Sequence, residues 1–99
     1  MNEFESSVIR RLMKDPGTRL IFSPHAERAR MVERDVTEND VRTVLKKCRV
    51  SLVEWRGSAL VWNAESNDID GRPLRIPVMV NETNKLIVVR TVIDLTSNN

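Results

Sequence analysis

Two hydrophobic periods divide this chain, and the change comes near residue 48. In residues 3–14, Phe4, Val8, Ile9 and Leu12 recur at helical spacing, with Asn2 placed to cap and Glu5 behind it. Asp15-Pro16-Gly17 stops that helix. A short strand, Arg19 to Phe22, follows, and Ser23-Pro24 opens a second helix: serine caps well and proline is tolerated at the first helical position. The apolar face of this helix is thin, consisting of Ala26, Ala29 and Val32. Thr37 caps the third helix, with Asp40 at N3 in a capping-box arrangement and Val36 and Val41 placed as a hydrophobic staple. Val41, Val44, Leu45 and Cys48 then form a stripe at i, i+3, i+4, i+7, which predicts a helix packed on a sheet.

From Arg49 onward the period is two. Arg49–Trp55 and Ala59–Ala64 read as strands joined through Arg56-Gly57-Ser58, with Trp55 and Trp62 as partners across the hairpin. Glu65–Gly71 is a polar loop. Leu74, Ile76, Val78 and Val80 alternate with Arg75, Pro77, Met79 and Asn81; Pro77 argues for an edge or a bulge. Leu86–Leu95 is apolar on both faces, with Ile87, Val89, Ile93 and Leu95 on one side and Leu86, Val88 and Val92 on the other, so it reads as the central strand. Arg90 interrupts the second face, where a charge needs a partner or a ligand. Helices first and a meander afterwards define one α+β domain over residues 1–99. Its N-terminal helices pack on one face of a twisted, mainly antiparallel sheet of about four to five strands, and the other face stays partly open.

Composition narrows the function classes. The net charge is only +2, but 12 of the 16 Lys and Arg lie in residues 1–56, against nine acids there. One face is therefore expected to be basic, which allows RNA or an acidic protein as partner. A lone cysteine, Cys48, makes no internal disulfide and suits a reducing, cytoplasmic setting. The sequence predicts neither a signal peptide nor a membrane span. It has no Cys/His cluster, no phosphate-binding glycine loop and no closing glutamate for a calcium loop around Glu65, Asp68 and Asp70; no metal or cofactor is expected.

The single histidine, His25, sits in Phe22-Ser23-Pro24-His25-Ala26-Glu27-Arg28-Ala29-Arg30-Met31. Metal-independent RNA cleavage needs a base for the 2′-hydroxyl and cations on the phosphate that gains charge. His25 fits the first role, and Arg28, Arg75 and Arg90 fit the second, because the guanidinium fork suits phosphate. The competing readings are structural: His25 holding a neighbouring loop, and Arg28, Arg30 and Arg34 forming a solvated face paired with Glu27 and Glu33.

Phe22, Ser23, His25, Ala26, then Arg30, Met31, Arg34, Val36 and Thr37, and finally Val88, Val89, Thr91 and Val92, resemble a signature of small bacterial domains related to the RelE and BrnT toxins. That signature reads F-[ST]-x-H-A-x-x-R-M-x-x-R-G-[IV]-[ST], with a closing strand like V-V-T-[VL]. The resemblance spans roughly residues 19–95 and departs from the pattern at three places. One extra residue separates His25-Ala26 from Arg30-Met31, Asp35 stands where glycine is usual, and Arg90 is inserted before Thr91. The resemblance implies a RelE-like ribonuclease fold, a place in a toxin–antitoxin or mobile-element system, RNA or the ribosome as target, and a cognate antitoxin as partner. Taken with the chemistry of the residues themselves, the expected catalytic set is His25, Arg90 and Arg75, with RNA contacts from Arg28, Arg30, Arg34 and Thr91. Two other readings stand beside it. One is a non-catalytic phage- or plasmid-type inhibitor or adaptor that binds protein through the sheet face. The other is a structural domain that forms a homodimer through an edge strand.

Overall fold

The computed structural model describes residues 2–96, apart from the side chains of residues 28–30. In chain order the elements are α1 (Glu3–Lys14), β1 (Arg19–Phe22), a π-helical segment (His25–Met31) running into a short α2 (Val32–Arg34), and α3 (Glu38–Lys46). Then come β2 (Arg49–Arg56), β3 (Ala59–Asn67), β4 (Pro73–Asn81), β5 (Leu86–Val89) and β6 (Ile93–Asp94). The architecture is α+β, with a mixed sheet in the order β1-β5-β4-β3-β2 and β6 beside β4. Among the described residues only the β1–β5 pair is parallel.

The helices cover one face. α1 turns Val8, Ile9 and Leu12 inward, together with Ser6, while Phe4 is left exposed. Asn2 makes no side-chain cap; instead its main chain accepts from the N–H and hydroxyl of Ser6 and bridges to Val50. The capping box of α3 is present: Thr37 Oγ1 accepts from Asp40 N–H at 3.1 Å, and Asp40 Oδ2 accepts from Thr37 N–H at 2.9 Å. Val36, Val41, Val44, Leu45 and Cys48 are buried against Ala64, Leu74, Ile76, Val78, Ile87 and Val89 of the sheet. Burial pushes the Cys48 thiol up to about 11, so it is a packed, inert group. No helix among the described residues is long and apolar enough to cross a membrane.

The predicted central strand over 86–95 is not one strand, and it is not central. β4 holds the middle of the sheet, and 86–95 splits into β5 and β6, both antiparallel to β4. The cause lies in Pro77. Val78 pairs with Val89, so Arg90 falls opposite Pro77, and Arg90 N–H donates to Pro77 O at 2.9 Å. The return bond is missing because proline has no N–H. The freed Arg90 carbonyl accepts the Ser23 hydroxyl instead, at 2.9 Å. Pairing resumes at Ile93↔Arg75, one residue out of step. This is a one-residue bulge, and it reverses the inside–outside parity: Val92 is buried in the core and Ile93 is not. Pro77 thus sits in the central strand, beside the bulge, rather than on an edge.

The hairpin register also differs in detail. Trp55 pairs with Leu60 and Val53 with Trp62, so the two tryptophans are diagonal neighbours on the helix-side face. Gly57, at the first central position of the two-residue loop, has φ +66°, as a type II′ turn requires.

Candidate functional site

The face opposite the helices carries Arg19 and Ile21 from β1, Val88 from β5 and Arg75, Pro77 and Met79 from β4. It continues through Val61, Asn63 and Glu65 of β3 to Glu54 and Arg56 of β2. Ser23 joins this face to the second helix. Its N–H donates to Val89 O and its hydroxyl to Arg90 O, each at 2.9 Å, while its Oγ accepts Ala26 N–H at 3.0 Å. One residue therefore caps the helix and anchors the bulge. His25, in the first turn, is held next to Arg90, 65 positions later in the chain.

Two adjoining cavities show the convergence. One, of about 210 Å³, is lined by His25, Arg56, Val61, Pro77, Arg90, Thr91 and Ile93. The other, of about 380 Å³, is lined by Ser23, His25, Ala59, Met79, Val88 and Arg90. Arg90 lines both, and its Nη1 is buried with no hydrogen-bond partner among the described residues. A buried guanidinium nitrogen left unsatisfied is costly, and the natural remedy is an anion. A larger concavity of about 600 Å³ lies at the other end of β2 and β3, beside Asn2, Ser6 and Leu95. Its one carboxylate from the sheet, Glu65, is already engaged.

Of the residues expected at the site, the structure brings together His25, Arg90 and Thr91. Arg75 is on the same face but lines neither cavity: its Nε donates to Glu65 Oε2 at 2.7 Å, and Glu65 also accepts the Ser51 hydroxyl at 2.6 Å. Burial alone would raise the Glu65 carboxyl; Ser51 and Arg75 outweigh it and hold it below the ordinary value. Arg34 belongs elsewhere. The Arg34 carbonyl accepts from Arg72 Nη1 at 2.7 Å, and its charge acts on Asp94. Arg72 also donates to Asp35 O and Asp68 Oδ2 and lies near Asp40 and Asp94. That cluster ties the end of α2 to the sheet. The side chains of Arg28 and Arg30 lie outside the described residues. Arg56 is the residue that sequence reasoning missed. It closes the hairpin, with its guanidinium 3.4 Å from Glu54 and 61% exposed.

Two backbone irregularities fall here: the π-helical segment His25–Met31, whose i→i+5 bonding takes up one more residue per turn, and the bulge at Arg90. Such irregularities concentrate at functional sites, where they re-aim side chains. Among the described residues, no three His, Cys, Asp or Glu side chains are grouped to hold a metal ion. Comparison with protein-family models, curated proteins and solved structures finds no match.

Proposed function

We propose that this chain acts on RNA through the open sheet face, as a metal-independent endoribonuclease of the RelE/BrnT-like toxin type. In that role it works in the cytoplasm, with a cognate antitoxin as its protein partner. The observation that carries the reading is that Arg90 shares a cavity with His25 and has its buried Nη1 without a hydrogen-bond partner among the described residues. In the proposed reaction His25 takes the proton of a 2′-hydroxyl, and the 2′-oxygen attacks phosphorus. The P–O5′ bond breaks, leaving a 2′,3′-cyclic phosphate, and the departing 5′-oxygen takes a proton from water. Arg90 and Arg56 meet the charge that grows on the phosphoryl oxygens, and the Thr91 hydroxyl donates to one of them. Arg19, on the same face, adds positive charge along the strand to be cut.

The test is inducible expression in a bacterial host, with growth and RNA integrity followed. Wild type should arrest growth and cleave RNA. His25→Ala should lower cleavage by about 10²–10⁴-fold with the melting temperature nearly unchanged. Full activity in His25→Ala would overturn the catalytic reading. A second reading, the non-catalytic binder, draws on Ile21 and Leu52, which leave apolar surface exposed on β1 and β2. Growth arrest without RNA cleavage selects it.

A further inference from the structure

We infer that two copies of this chain pair through the free edge of β2, on a two-fold axis at Trp55, and so join their open faces into one surface. β2 is the outer strand of the sheet; among the described residues its edge meets only Asn2 and the Ser6 hydroxyl, both at Val50. Its two-residue loop makes Arg56 and Ala59 the hydrogen-bonded closing pair. Bonded pairs alternate, so Trp55 and Val53 point their N–H and C=O outward, ready for another strand. The same stretch exposes large apolar side chains: Trp55 is 68% exposed, Leu52 51% and the neighbouring Leu60 39%. The bulge in β2 lies between Val50 and Leu52, so the stretch from Val53 to Arg56 is a regular free edge, and with this composition it is a pairing site.

Charge selects the occupant and the register. In a two-fold antiparallel pair, the residue on the axis meets itself. An axis at Val53 would run Arg56 against Val50, whose edge Asn2 already occupies. An axis at Glu54 would set the two Glu54 carboxylates directly opposite each other, which is destabilising. An axis at Trp55 sets Glu54 opposite the second copy's Arg56, and Arg56 opposite its Glu54. Both pairs lie on the open face, while the two Trp55 rings meet on the helix side, flanked by Leu60. Within one copy, Glu54 and Arg56 make only a 3.4 Å contact. The strand is thus complementary to itself in one register. Because Arg56 also lines the cavity of His25 and Arg90, the two cavities fall on either side of the axis on a continuous sheet.

The overlap is short, so a dimer of micromolar strength is expected. Sedimentation equilibrium of the full chain should show twice the chain mass at about 100 µM. Glu54→Arg and Arg56→Glu should each be monomeric, because each sets like charges opposite. An equimolar mixture of the two should dimerise again, since every pair is then complementary. Trp55→Ala should weaken dimerisation about tenfold or more. Circular dichroism of each variant checks that it is folded, and recovery in the mixture shows that each is competent. A monomeric wild type at that concentration overturns the proposal, as does wild-type dimerisation by either charge variant alone. The test reads mass only, so it stands whether or not the chain cleaves RNA.

Discussion

The Ser23 hydroxyl accepts the Ala26 N–H and donates to the Arg90 carbonyl, so Ser23→Ala removes a helix cap and a strand anchor together. We expect a loss of about 1–2 kcal/mol in thermal unfolding, with cleavage falling further than that loss explains. Ser23→Thr, which keeps the hydroxyl, should recover most of both. Thr37→Ala, which breaks only the α3 cap, should cost about 1 kcal/mol and leave cleavage unchanged. The Thr37–Asp40 box was legible in the sequence because both partners lie within one helical turn. Arg56 was not: its place depends on the parity imposed by the Gly57-Ser58 loop, and its partners come from His25 and Arg90. Arg75 is the opposite case. It stands on the right face, but Glu65 lies directly across from it on β3.

The pattern of apolar residues predicts α1, β1, α3 and the hairpins because each buries a face with a regular period. It does not predict the break in 86–95, since one bulged residue changes parity without changing composition. The register makes a test of Arg90. With Arg90 deleted, Thr91 falls opposite Pro77, Val92 opposite Ile76 and Ile93 opposite Arg75, so every core residue keeps its place. The deletion should leave the melting temperature equal or higher, while abolishing cleavage. A chain that fails to fold would show that the sheet itself needs Arg90. The π-helical segment predicts likewise that deleting Glu27 is tolerated, because an α-helical turn spans the gap with one residue fewer. The same deletion of Arg42 in α3 should lower the melting temperature sharply, since it rotates Val44 and Leu45 out of the core.

For the molecule as a whole, acid stability rests on the carboxylates around Arg72. Burial alone would raise the Asp68 carboxyl; the N–H and guanidinium of Arg72 and the N–H of Asp70 outweigh it and hold it low. Thr96 first, then Arg72 and Arg34, hold Asp94 low as well. Both groups are depressed in the folded state, so their contribution is fully present above the unfolded value, near pH 4, and is lost as pH falls through the native values. Urea titrations should show stability flat from about pH 6 to 5 and falling below pH 4; Arg72→Met should remove the part of that dependence that Asp68 carries through Arg72. Val89→Asp, which sets a charge in the fully buried core, should abolish folding.

The sheet order bears on how the chain reaches its shape. Strands β2 to β5 follow one another as a meander, each beside the last, so residues 49–89 close their contacts over short loops. Everything earlier docks across the chain: α1 meets β2 through Asn2 and Val50, and β1 pairs with β5 some 67 positions on. Low-separation contacts form first, because closing long loops costs entropy. During synthesis the helical half therefore emerges before the sheet it covers exists, with Val8, Ile9 and Leu12 sheltered by α3 alone until β2 is made. In refolding kinetics, Ile76→Val in β4 should slow folding, whereas Ile9→Val in α1 should mainly speed unfolding.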